Sequence, residues 1–196
     1  GGRRCGRDAV ADAGRVCRTV GIPHGVVDYF AAVEAEVKAK FVREYLRGRT
    51  PNPCIDCNRS IKFGLLLAAA RARGFRFLAT GHYARIEEKD GLPRLLRGRD
   101  PSKDQTYFLY PIAAADLGSI LFPLGRLTKN EVRDLARRAA LPAADRPESQ
   151  DLCFVPDGGY GELIRRRVGD IRPGPVCDRE GRVLGEPRVE RRRRHR

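Results

Sequence analysis

The chain has 196 residues, 41% hydrophobic and 33% charged, which suits one full domain with part of a second and excludes a disordered chain. Its longest apolar runs, such as Leu65 to Ala70, are far too short for a bilayer. Net charge is +14, so a phosphate polymer is a natural partner, although charge alone does not separate RNA from DNA or an acidic protein.

The basic residues cluster at Arg3-Arg4, Arg71 to Arg76, Arg165 to Arg167 and the tail Arg188 to Arg196. No basic-then-apolar start resembles a signal peptide, so the expected compartment is the cytoplasm, with no membrane partner. The chain starts at Gly1 and contains no methionine, which reads as a piece of a longer protein. Six cysteines, at 5, 17, 54, 57, 153 and 177, are too sparse for a disulfide scaffold, and reduced thiols are expected.

In chain order, Asp8 caps a first helix whose apolar positions Val10, Ala13, Cys17 and Val20 follow helical spacing, and Gly21 and Pro23 stop it. Gly25 to Asp28 reads as a short strand. Phe30, Val33, Val37, Phe41 and Tyr45 form one face of a second helix that closes near Gly48. Two prolines make Arg49 to Asn58 a loop, followed by a helix from Ile61 to Arg73 that ends at Gly74. Phe75 to Thr80 reads as a mostly buried strand, with Gly81-His82 at its C-terminal end, where ligands gather in parallel sheets. Tyr83 to Glu88 and Arg94 to Arg97 flank Lys89-Asp90-Gly91 as a hairpin. A helix is expected from about Asp104, and Thr128 with Glu131 forms a capping box for a helix that Pro142 ends. Beyond Arg167, Pro173-Gly174-Pro175 and Asp178 to Gly181 punctuate short β-like runs. The alternation of helix and strand gives an α/β class for about the first 165 residues.

The loop from Thr50 to Asn58 holds the one short cysteine spacing, Cys54-Ile-Asp-Cys57. Three readings stay open at this level. A zinc site needs four ligands and there is no second such pair, though Cys153 or His82 can contribute. A thioredoxin-like dithiol prefers a helix start after a strand, not a proline-rich loop. The third reading is a catalytic thiolate near Arg49, Arg59 or Lys62. Cys153, at the end of a second polar stretch from Arg146, is by itself a weak signal, since single cysteines are usually core residues. Gly98 to Thr106 reads either as an ordinary turn or as a phosphate or base contact through Lys103 and Gln105. His82 is equally a satisfied strand-end histidine or a site residue.

Together these segments carry a resemblance. Thr50-Pro-Asn-Pro with Cys57-Asn58 and Ile61-Lys62-Phe63, then Ala79 to Ala84, Lys103 to Leu109, Leu121 to Gly125, Ser149 to Phe154 and Pro173 to Pro175 resemble, in order, the tRNA-specific 2-thiouridylases of the MnmA/TrmU family. The resemblance runs from about residue 5 to 186. It implies a Rossmann-like PP-loop α/β fold and ATP-dependent thiolation of the wobble uridine of tRNA. ATP, with Mg2+ expected, activates the uracil oxygen, and a cysteine persulfide loaded by an upstream sulfur-carrier protein supplies the sulfur. Carried over by position, Cys153 bears the persulfide and Cys57 is the nucleophile or its disulfide-forming partner. Asn52, Pro53 and Cys54 match the stretch that contacts the target base, and Gly81 matches an ATP-contacting glycine. His82, Lys103, Asp104 and Gln105 match tRNA-contacting positions. No metal ligand and no oligomer is implied.

The resemblance has gaps. The family's Ser-Gly-Gly-x-Asp-Ser pyrophosphate loop has no counterpart here, and Pro187 to Arg196 departs from the pattern. The expected layout is a catalytic domain over 1–168 without its first strand and ATP loop. The start of a β-rich central domain follows over 169–187, then a basic tail over 188–196. Such a chain is expected to adenylate nothing on its own. A non-catalytic basic RNA-binding module, a zinc-stabilised domain and a 4-thiouridine-type enzyme are the rival classes.

Overall fold

A computed structural model describes residues 7–142, 144, 152–155, 159–169 and 174–185. The expectations for Arg3-Arg4, Ser149 to Asp151, Pro173 and the tail from 186 lie outside the described residues. Two compact units divide at Phe154, covering 1–154 and 155–196. Among the described residues no helix is long and apolar enough to cross a membrane.

The first unit opens with the helix Arg7–Val20, held on its exposed side by an Arg15–Asp12 ion pair. The expected strand at Gly25 to Asp28 does not form: the segment is irregular, and Val26 and Val27 are exposed. A strand needs a neighbour for its amides, and the described residues supply none there. The second helix runs continuously from 30 to 46, with an i→i+5 stretch at Glu34–Lys38. Its spacing puts Val37, Phe41 and Val42 inside.

A third helix runs without a break from 53 to 72, as Pro53–Asp56, Cys57–Leu66 and Leu67–Ala72, and the middle stretch is again i→i+5. The expected loop therefore ends at Asn52, and the helix starts eight residues before the expected Ile61. Proline stops a helix from inside but suits its first position, where its missing N–H has no partner to lose. Pro53 occupies that position.

The expected strand Phe75 to Thr80 shrinks to β1, Leu78–Ala79, paired in parallel with β4, Ile120–Leu121. Phe75 and Phe77 remain exposed, since the ladder reaches only two residues. β2, Ala84–Lys89, and β3, Leu92–Arg97, form the expected hairpin in continuous antiparallel register from Ala84–Arg97 to Lys89–Leu92. Asp90 and Gly91 both have positive φ, 56° and 73°, the turn geometry that matches strand twist. The helix expected from Asp104 is instead a turn leading into a single 3-10 turn, Thr106–Phe108. A short helix Ala114–Leu117 precedes β4, and Lys129–Arg138 is the expected capped helix.

The core gathers Phe63 and Leu67 from the third helix, Ala84 from β2, Leu109, Ile120 and Phe122, with Leu78, Ile86, Leu95 and Ile112 packed around them. Each large side chain so buried contributes roughly 1.5–3 kcal/mol of transfer free energy. This cluster anchors the third helix, the end of β1 and the 3-10 turn to one another. The second unit holds a helix, Gly159–Val168, and an antiparallel pair, β5 Val176–Cys177 with β6 Val183–Gly185.

Candidate functional site

The two close cysteines lie on the first turns of the third helix, not in a loop. Asn52 caps it: its backbone is extended, and its side-chain oxygen accepts the Cys54 amide at 3.1 Å. Cys54 and Cys57 are half-buried. Between them, Asp56 is buried and takes the Lys40 ammonium at 2.7 Å and the Arg59 guanidinium at 3.2 Å. Asn58, 2% exposed, donates from Nδ2 to the Phe108 carbonyl at 2.9 Å, while its Oδ1 is buried without a hydrogen-bond partner. The cysteine turn is thus tied on one side to the second helix and on the other to the 3-10 turn.

Burial holds the Cys54 thiol above its ordinary range, and the nearby Lys62 ammonium offsets only part of that rise. The same Lys62 lies near His82. His82 is 8% exposed, shares a 2.7 Å hydrogen bond between Nδ1 and the Thr80 hydroxyl, and packs between Phe63 and Phe122 at 5.8 and 5.9 Å. Burial and then Lys62 push its pKa down to about 4, so the ring is neutral at physiological pH. Gly81 beside it is exposed, and a methyl group there would meet only Leu124 at 3.7 Å, ordinary contact. Backbone at the end of β1 is therefore open to a ligand. The residues present suit contact with a nucleotide at that point, while the phosphate-cradling loop is not among them.

Asp104 and Gln105 hold the fold together at this edge. The Gln105 side-chain oxygen accepts the Tyr83 amide at 2.9 Å, and the Gln105 backbone N–H donates to the Tyr83 carbonyl at 3.0 Å. Asp104 accepts from the Gly98 amide at 3.0 Å and the Thr106 hydroxyl at 2.7 Å. Burial pushes the Asp104 carboxyl up, but those bonds, the Thr106 amide and Arg97 together take it below the usual carboxylate range. Lys103 is half-buried beside them.

Cys153 is exposed in a turn. Its neighbour Phe154 packs edge-on against Phe41 at 5.5 Å, with the Lys38 ammonium 5.8 Å from its ring. Lys40 and Phe41 are consecutive on the second helix, so one helix holds both cysteine segments, through Asp56 and through Phe154. Lys62 thus acts on both Cys54 and His82, Cys57 follows Cys54 by three residues on the same helix, and Cys153 is moored to the adjoining helix through Phe154. Lys40 and Asp56 are not singled out by sequence reasoning, whereas Lys62 is, as a cation beside the cysteine segment. The Asp56 to Arg59 spacing of three was the available signal, whereas the Lys40 pairing is long-range. Among the described residues no group of three or more His, Cys, Asp or Glu side chains is placed to hold a metal ion.

A family model described as tRNA methyl transferase HUP domain matches residues 1–157. The chain is 58% identical, over 94% of its length and 50% of the relative's, to tRNA-specific 2-thiouridylase MnmA 1 of Syntrophus aciditrophicus. It is 50% identical to tRNA-specific 2-thiouridylase MnmA of Carboxydothermus hydrogenoformans, over 93% of this chain and 51% of that one. The corresponding protein of Chloroflexus aurantiacus is 48% identical over 94% and 52%. The chain spans about half the length of these curated relatives. Parallel β1–β4 pairing with flanking helices agrees with the α/β, Rossmann-like class of the matched domain, and this chain belongs to the tRNA methyl transferase HUP domain family.

Proposed function

We propose that the chain is the sulfur-handling part of an ATP-dependent tRNA-uridine 2-sulfurtransferase that acts in the cytoplasm on the wobble uridine. The observation that carries the reading is the joint mooring of the Cys57 and Cys153 segments on Lys40 and Phe41. ATP supplies the adenylyl group that makes the uracil oxygen a leaving group, with Mg2+ as its counterion. Cys153 carries a persulfide received from a sulfur-carrier protein. Its terminal sulfur bonds to C2 of the uracil as AMP leaves. The Cys57 thiolate then attacks the Cys153 sulfur, forming a Cys57–Cys153 disulfide and leaving the terminal sulfur on the base. A disulfide demands a Cα separation of about 4.4–6.8 Å, so the two segments close on each other in this step.

Asn52, Pro53 and Cys54 sit at the mouth of the helix, where a base approaching Cys57 passes. His82, neutral and buried, supports Gly81 at the nucleotide edge, and Lys103 supplies positive charge for the RNA backbone. Asp104 and Gln105 act by shaping the turn that presents it.

The test is wobble-uridine thiolation by the full-length protein that contains this chain, with Cys57→Ser and Cys153→Ser beside the wild type. Loss of at least about 100-fold in each variant is expected for residues that form covalent bonds in turnover. Full activity in both variants overturns the sulfur-relay roles of Cys57 and Cys153, whereas tRNA binding without thiolation by the wild type favours a non-catalytic RNA-binding role. The 196-residue chain by itself, without a pyrophosphate loop, is expected to show no ATP-dependent thiolation.

A further inference from the structure

The proposed reaction ends with Cys57 and Cys153 oxidised to each other, and a second turnover requires Cys153 as a thiol again. The sequence places a third thiol, Cys54, three residues before Cys57, and the structure puts both on one helix whose first turn is capped by Asn52. From the helical rise and radius, residues three apart have Cα atoms about 5 Å apart. That lies inside the range a disulfide accepts, about 4.4–6.8 Å. Asn52 and Pro53 fix the start of the helix, so the pair has the helix-start setting in which paired thiols exchange.

We propose that Cys54 is the resolving cysteine of this site, a role that rests on the sulfur-transfer reading above. The Cys54 thiolate attacks the Cys57 sulfur of the Cys57–Cys153 disulfide. The Cys54–Cys57 bond forms, the Cys57–Cys153 bond breaks, and Cys153 departs as a thiolate ready for reloading. The exchange conserves oxidation state, and the proton lost by Cys54 goes to solvent or to the departing thiolate. A dithiol reductant afterwards reduces the Cys54–Cys57 disulfide. The direction is favourable in two respects. The attacking thiol is next to its target on a rigid element, and the leaving thiol is on an exposed segment. Burial raises the Cys54 thiol, and Lys62, on which the described residues place no carboxylate, works against that burial. Asp56, the nearest acid in sequence, is taken up by Lys40 and Arg59.

The experiment follows the disulfides directly and needs no tRNA. The full-length protein that contains this chain is oxidised briefly at about pH 5 with dithiodipyridine, then moved to about pH 8 without reductant, where thiolate attack is fast. Aliquots are acid-quenched, alkylated and mapped by mass spectrometry without reduction. In the wild type the Cys57–Cys153 disulfide is expected to convert to Cys54–Cys57 as Cys153 becomes alkylatable. In Cys54→Ser and Cys54→Ala the Cys57–Cys153 disulfide is expected to persist at least about tenfold longer. In Lys62→Gln the conversion is expected to shift to higher pH. Equal persistence in the wild type and both Cys54 variants overturns the resolving role while leaving the sulfur-transfer reading intact. Absence of any Cys57–Cys153 disulfide in the two Cys54 variants overturns both.

Discussion

Lys40 on the second helix lies 2.7 Å from Asp56, the residue immediately before Cys57, and this ion pair is the side-chain tie between the two helices at the cysteine turn. The Asp56 side chain is 9% exposed against 36% for Lys40. Removing the cation therefore leaves a buried carboxylate with only Arg59 to serve it. Lys40→Ala is expected to cost about 1–2 kcal/mol, well short of a fully buried pair because the lysine is part-solvated. Arg59→Ala, removing a more exposed partner at 3.2 Å, is expected to cost less. Urea unfolding midpoints of the two variants give the ranking, and a larger loss for Arg59→Ala contradicts it.

Asn58 gives a second expectation. Its amide is the link to the Phe108 carbonyl, in a part-buried bond whose Asn58 side is fully buried. Asn58→Ala is expected to destabilise by about 1–3 kcal/mol, since it leaves that carbonyl unpaired as well as opening a small void. Hydrogen exchange should show the Thr106–Phe108 turn opening more readily while the β2–β3 hairpin keeps its protection.

His82 makes stability depend on pH. Its folded pKa, about 4, lies below the unfolded value near 6.5, so the unfolded chain takes up a proton first as pH falls. The contribution of the neutral ring is fully present above pH 6.5 and is lost progressively down to about pH 4, a difference of about 3 kcal/mol. His82→Gln should flatten the stability curve in that window, and in the wild type the His82 ring signals should not titrate above about pH 5. A ring that titrates near 6.5 refutes the expectation.

Gly125 is a packing constraint. It is buried, and a methyl group on it would overlap the carbonyl oxygen of Ala84, the fully buried first residue of β2. Backbone has to move to admit one. Gly125→Ala is expected to cost about 3 kcal/mol, the upper end for overpacking, whereas Gly118→Ala, with open space around it, should cost little. Paired thermal denaturation of the two variants is the check.

Much of this architecture is legible in the sequence. The Thr128–Glu131 capping box is present in both directions, with the Thr128 amide on Glu131 at 2.6 Å and the Glu131 amide on Thr128 at 3.3 Å, because a local pattern of four residues fixes a local structure. The Asp90-Gly91 hairpin is of the same kind. What sequence misplaced depends on distant partners or on a residue with two meanings. Gly25 to Asp28 has strand composition but no strand to pair with among the described residues. Pro53 reads as a helix breaker in a run with Pro51, yet it starts the helix, and this one inversion moved Cys54 and Cys57 from a loop onto a helical face. The objection to a helix-start dithiol falls in part, since the pair does open a helix, although no described strand precedes it. The candidate residues were named by resemblance to a family pattern. The mooring of Cys57 through Lys40 and of Cys153 through Phe41 spans residues far apart in the chain, and no local spacing announces it.

Because Lys40 and Phe41 are adjacent on one helix, a rigid displacement of that helix is a common-mode motion for the two sulfur-bearing segments. It shifts both and leaves their separation nearly unchanged. A displacement of this helix therefore carries the Cys57 and Cys153 segments together, which suits the sulfur transfer proposed for them.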